Sequence, residues 1–127
     1  MKTIRVEIPM LPPPQLNPNW RGHWSARAKA ARSFRGAAMV CALGASDFSH
    51  PDFPRAQLSV GIVIPDRRYM RDTDNALASL KPAVDGCVDA GIIRDDAPGN
   101  LTYAMPVEYE VDKDRAPLTV LVFTEVK

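Results

Sequence analysis

Residues 66–96 read DRRYMRDTDNALASLKPAVDGCVDAGIIRDD and hold seven of the fifteen acidic residues of the chain, all of them aspartate. Aspartate is the shorter carboxylate and holds a cation close to the backbone. Hard divalent ions such as Mg²⁺ take oxygen ligands of this kind. Carboxylates packed together repel one another. They stay ionised when they share a cation, and otherwise some must take up protons. If the fold gathers these aspartates, the segment is a candidate divalent-metal centre, and a lysine within it could contact a phosphate oxygen or a leaving group.

The spacing says which of them can meet. Asp72 and Asp74 lie two apart at the exit of a predicted strand, where side chains at i and i+2 face the same way. A helix is expected from about Asn75 to Ala90. At about 100° per residue, Lys81 falls at about −20° from Asp74 and Asp85 at about +20°, so the three share one face. Leu77, Leu80, Val84 and Val88 gather on a neighbouring stripe that suits a core. Pro82 removes the bond to Ala78 and is expected to bend the helix. Gly91 ends it, and Asp95 and Asp96 follow. A strand exit, a helix face and a loop could thus converge. Each residue also has a plainer reading: Asp72 and Asp74 as a helix cap, Asp85 as a salt-bridge partner of Lys81, Asp66 as a turn charge, Asp89 as a solvated helix residue, and Asp95 and Asp96 as loop acids. A calcium-binding helix–loop–helix is excluded, because Ala76 and Leu77 stand where its loop needs Asp/Asn and Gly.

The elements that must position these residues follow from periodicity. Lys2 to Pro9 alternates, with Ile4, Val6 and Ile8 on one side, and reads as a half-buried strand. PMLPPPQLNPNW, residues 9–20, is an ordered loop leading to Trp20, Arg21, His23 and Trp24. Ser25 is the expected N-cap of a helix from Ala26 to about Leu43, with Phe34, Ala37, Ala38 and Cys41 as its apolar stripe and Gly44 closing it. Ala56 to Pro65 is the second strand. Leu101 to Val111 and Leu118 to Val126 read as two more, joined by 111–117 as a hairpin connection. About four strands and two helices give a single α/β (α+β) domain over 1–127, a mixed sheet packed against two main helices. A free sheet edge leaves dimerisation open.

Composition narrows the classes. The net charge of +1 conceals an asymmetry: residues 1–71 carry eleven Lys/Arg against four Asp/Glu, and residues 72–127 carry five against eleven. Basic surface for phosphates beside carboxylates for metal is what an enzyme acting on nucleic acid needs. The sequence shows no signal peptide and no apolar run long enough for a membrane, so a cytoplasmic protein is expected. Cys41 and Cys87 are expected as reduced, buried thiols. His23 and His50 have no zinc spacing.

These motifs together resemble the RusA-type endodeoxyribonucleases, which resolve Holliday junctions in bacteria and their phages. The resemblance covers most of the chain. EIPMLPPPQLNPNW is similar to that family's first strand and its proline- and asparagine-rich loop. The basic helix, the second strand and PDRRYMRDTDN follow in the family's order, and DTDNALASLKPAVDGCVDAGIIRDD carries its Asp-x-Asp-Asn, helical Lys, later Asp, Gly and Asp pair. The resemblance implies Mg²⁺, with Mn²⁺ able to substitute, held by Asp72, Asp74 and Asp96. It implies a functional Lys81, with Asn75, Asp85 and Asp95 in support. It implies DNA contacts from Arg27, Arg32, Arg67, Arg68 and Arg71, a homodimer, and branched DNA, the four-way junction, as partner. One departure is that shorter members have about three fewer residues between the Asp-Asn pair and the lysine. Lys81 keeps its facing but shifts by ~4.5 Å along the helix. No wedge for opening a junction can be matched; Tyr69, Trp20 and Trp24 qualify by type alone.

The reaction implied is hydrolysis of a DNA phosphodiester by metal-activated water, with metal or Lys81 steadying the developing charge. Three other readings use the same residues: a broader structure-specific nuclease for forks or flaps, a branched-DNA-binding protein without catalysis, and a sugar-nucleotide enzyme using the Asp-x-Asp pair.

Overall fold

The computed structural model describes residues 2–127. In chain order they form β1 (Thr3–Ile8), α1 (Trp24–Ala45), β2 (Ala56–Ile64), α2 (Thr73–Asp89), β3 (Leu101–Tyr103), β4 (Glu108–Val111) and β5 (Leu118–Glu125), with short 3₁₀ turns at Pro14–Leu16 and Arg67–Tyr69. The fold is a mixed α+β domain with two helices, as the periodicity predicts, on a sheet of five strands and not about four.

The sheet runs β1–β5–β2 antiparallel, and β2 pairs in parallel with β3 along its first part and with β4 along its last. Cross-strand partners share a face. Val6, Leu121 and Val60 lie in one row, and Ile4, Phe123 and Leu58 in the next. All of these but the partly buried Ile4 are buried and belong to one apolar cluster with Phe34, Ala38, Leu80 and Val84 of the helices. Burying each Leu, Ile or Phe contributes roughly 1.5–3 kcal/mol before chain entropy is set against it. The opposite face presents Arg5, Ser59, Gly61, Val63, Val120 and Val122 along a shallow trough of about 680 Å³.

Three expectations need correction. Residues 101–111 are not one strand: the ladder breaks between Tyr103 and Glu108, around Pro106, which has no N–H to give it. Nor do β4 and β5 form a hairpin. Both pair with β2, which lies between them. Because β3 and β4 run parallel to β2 they need a crossover, and α2 supplies it. Finally, both helices begin early and α1 ends late. His23 Nδ1 accepts from the Ser25 N–H at 3.1 Å, so His23 and not Ser25 caps α1, which runs through Gly44 to Ala45. The α2 cap is Asp72, and the helix starts at Thr73, two residues ahead of the expected Asn75. Among the described residues no helix is long and apolar enough to cross a membrane.

The helices pack closely at Gly86. A Cβ there would stand 2.3 Å from the backbone oxygen of Arg35 and 3.0 Å from Ala38 Cβ. The small residue fixes how near α2, with its acidic face, lies to α1.

Candidate functional site

The chain leaves β2 through the turn Arg67–Tyr69, whose cap is Asp66, its carboxylate accepting from the Arg68 N–H at 2.9 Å. Asp72 then caps α2, one carboxylate oxygen accepting from the Asn75 N–H at 2.8 Å. The capping alternative therefore describes Asp72 correctly. Asp74 sits exposed in the first helical turn, and not in extended chain, so the alternation argument does not apply to it. Both acids stand where the helix dipole favours negative charge. Asn75 keeps its carbonyl on the Ser79 hydroxyl, at 2.9 Å.

Two turns on, Lys81 Nζ lies 2.6 Å from Asp85 Oδ1 and 2.5 Å from Asp96 Oδ2. The two carboxylates are each less than a third exposed, 28% and 29%, against 56% for the lysine side chain. The hydrogen bonds to Asp85 and then Asp96 raise the Lys81 ammonium above its ordinary pKa. The salt-bridge alternative for Asp85 is thus also correct, and it extends to Asp96. Arg35 of α1 adds a second cation: it holds both oxygens of Asp89, at 2.7 and 2.9 Å, and comes within 4.0 Å of Asp85. Asp89, expected to be solvated, is therefore clamped, and Arg35 holds its carboxyl below the ordinary value.

Asp96 reaches α2 because the preceding loop is pinned. Gly91 turns the chain at φ +76°, and His50 Nδ1 bonds the Ala90 oxygen at 2.9 Å. Ile93 bridges Phe53, the Arg94 N–H donates to the Phe53 oxygen at 3.0 Å, and Arg94 pairs with Asp52 at 3.1 Å. Asp95 turns away into its own loop, accepting from Ala97 N–H at 3.0 Å and Asn100 Nδ2 at 2.8 Å; the Asn100 bond chiefly lowers its pKa. Tyr103 is a neighbour that the spacing did not reveal. Burial pushes its hydroxyl pKa up, and the nearby Asp96 charge adds to this.

The expected triad is not assembled. Among the described residues no three Asp, Glu, His or Cys groups stand close enough to share a metal ion. Asp96 is held at the level of Lys81 and Asp85, while Asp74, in the first turn of α2, lies seven residues before Lys81, roughly 10 Å along the axis. The donors are of the type that Mg²⁺ or Mn²⁺ takes. What occupies the space between Asp85 and Asp96 is the lysine ammonium, and a shared ion would require Asp96 to leave it.

The five arginines differ in what they can offer DNA. Arg27 Nη2 donates to the carbonyls of Asn17 and Trp20, at 3.3 and 3.4 Å, and lies over the Trp20 ring, so it fastens the proline-rich loop to α1. Arg68 pairs with Asp66 at 3.0 Å and covers the Tyr69 ring. Arg32 and Arg67 are exposed. Arg71 is half-buried; its backbone N–H donates to the Tyr109 hydroxyl at 3.2 Å. Of the aromatic candidates, Trp24 is 73% exposed and Tyr69 40%. Cys41 and Cys87 are free thiols, Cys87 buried with its pKa pushed up to about 12.

No family model matches the chain. An uncharacterized protein of Xylella fastidiosa (strain Temecula1 / ATCC 700964) is 42% identical over 81 residues, which cover 62% of this chain and 52% of that protein. The chain therefore spans about half the length of the relative it matches.

Proposed function

We propose that this protein is a Mg²⁺-dependent endodeoxyribonuclease that resolves four-way DNA junctions by phosphodiester hydrolysis, acting as a homodimer. The observation that carries the reading is the row on α2. Asp74, Lys81 and Asp85 follow one another along the helix, and Asp96 is delivered to that row from fifteen residues beyond Lys81. The basic segment 67–71, which contains the turn Arg67–Tyr69, precedes it directly. Asp72, Asp74 and Asp96 would hold the ion, which when bound supplies an activated water and charge neutralisation. The chain's own part is to present phosphates to Arg67 and Arg71 and to steady developing negative charge with Lys81. The sheet face away from the helices, with its shallow trough, would be the surface offered to a second copy.

A second reading is favoured by one specific observation. With Lys81 on Asp96 the acids do not converge, as in a branched-DNA-binding protein without catalysis. One panel separates the two. The protein is incubated with Mg²⁺ and, separately, a four-way junction, a fork, a flap and plain duplex, with EDTA as control. Junction cleavage lost in EDTA is expected, and Asp72→Asn, Asp74→Asn and Asp96→Asn should each nearly abolish it while junction binding persists. Light scattering on the same preparation should give about twice the 14.0 kDa chain mass. Equal cutting of all four substrates would leave a general nuclease. Tight junction binding with no cutting would leave the binding protein.

A further inference from the structure

The proline-rich loop, the turn before α2 and the sheet enclose a small pocket of about 160 Å³. Its walls are Leu11, Pro12, Ile62, Ile64, Tyr69 and Tyr109, with Ala76 and Ser79 of α2 on one side and Arg71 at the edge. An apolar cavity of about 150 Å³ holds one benzene ring. This pocket therefore matches the size of a single six-membered aromatic ring. Its position adds charge to shape. Tyr69 belongs to the same 3₁₀ turn as Arg67 and Arg68, and Arg71 directly precedes Asp72, the cap of the helix that contributes Ala76 and Ser79.

We infer that this pocket receives one unstacked pyrimidine base of the DNA substrate. The inference rests on the proposed action on DNA and names the part of the substrate that would be read. A flat ring with apolar faces fits between Tyr69 and the carbon walls, as bases stack on aromatic side chains in single-strand binding proteins. The flanking phosphates then fall beside Arg67 and Arg71. Taking a base out of its stack costs least where it is mismatched or already single-stranded. The pocket would thus hold a nucleotide at the start of α2, beside Asp72 and Asp74.

The test uses the unsubstituted full chain and two probes of equal charge, a ten-nucleotide oligothymidylate and an abasic strand of the same length. Oligothymidylate should bind about tenfold more tightly, a factor within the range that one stacked base contributes in such sites. It should also shift the methyl resonances of Ile62 and Ile64, which the abasic strand leaves in place. Tyr69→Ala, which removes the outer wall, and Leu11→Trp, which fills the space, should each reduce the tenfold preference to about twofold or less. Abasic binding should not change. Equal affinity for both probes, or unmoved Ile62 and Ile64 methyls, overturns the inference even if either variant proves unstable. The outcome is independent of junction cleavage. A protein that prefers bases but cuts nothing keeps the pocket and loses the nuclease, and one that cuts junctions without preferring bases does the reverse.

Discussion

Gly86→Ala tests the packing that sets the candidate site in place. In an isolated helix the change is favourable by about 1 kcal/mol. Here the new Cβ would lie 2.3 Å from the Arg35 backbone oxygen and 3.0 Å from both Ala38 Cβ and Met39 N. The first contact is with backbone, so no side chain can swing aside, and the helices must part by at least 0.7 Å to bring 2.3 to 3.0 Å. Overpacking of this kind costs about 1–3 kcal/mol, and a backbone clash belongs at the upper end. The net loss is then about 1–2 kcal/mol, or roughly 3–8 °C in melting temperature for a domain of this size. The displacement also draws α2 away from Arg35, loosening its hold on Asp89 and Asp85. Gly36→Ala is the control: nothing lies within 4 Å of its would-be Cβ, so helix propensity should act alone and raise the melting temperature. Melting followed by circular dichroism reads both variants. If Gly86→Ala melts at or above the parent, the close approach of the helices does not hold the fold together, and the argument fails.

Two further outcomes follow from the charged groups. Lys81→Met leaves Asp85 and Asp96 facing each other without the ammonium. Because the lysine is more than half exposed, the loss should stay at or below about 1 kcal/mol, and millimolar Mg²⁺ should raise the melting temperature of the variant more than that of the parent; an equal response would show that Lys81 does not hold a cation's place. Asp89→Asn should lower the melting temperature at pH 7, and the gap should close in acid: the folded pKa of Asp89 is depressed, chiefly by the Arg35 hydrogen bond, so its contribution is present above the ordinary value near 3.9 and vanishes as pH falls through the folded value. A gap unchanged between about pH 7 and pH 2.5 would refute the Arg35 clamp.

The elements that could be read from the sequence are those whose partners are dictated locally. Ile4, Val6 and Ile8 alternate because β1 has one buried face. Phe34 and Ala38, Leu80 and Val84 recur at helical spacing because each helix buries one stripe. The failures share a different cause. Which strand accepts β4 depends on β2, more than forty residues earlier, and no periodicity within 101–118 carries that information. Pro106, which has no N–H for a ladder, is a local signal of the break in that region that the strand reading of 101–111 passes over. At the site, the α2 face joining Lys81 to Asp85 was legible from 100° per residue. The arrival of Asp96 was not, since it depends on Ile93 bridging Phe53 and on Arg94 finding Asp52. Tyr103 and Arg35 were missed for the same reason: each enters from another element.

The crowding of aspartates argued for a metal because packed carboxylates need positive charge. In the folded chain much of that charge is supplied internally. Lys81 serves Asp85 and Asp96, Arg35 serves Asp89 and leans on Asp85, and the start of α2 serves Asp72 and Asp74 through its dipole. The charge of these acids is therefore balanced in the fold without an ion, and folding does not require one. This changes what Lys81 means for the proposed reaction. Asp96 can join Asp72 and Asp74 only if the ammonium lets it go, and a DNA phosphate is the natural competitor for an ammonium that is more than half exposed. Substrate and metal should then bind with positive coupling, each weakening the lysine's hold on Asp96, and by reciprocity the same factor applies in both directions. In that reading the lysine keeps the acids apart until a phosphate arrives.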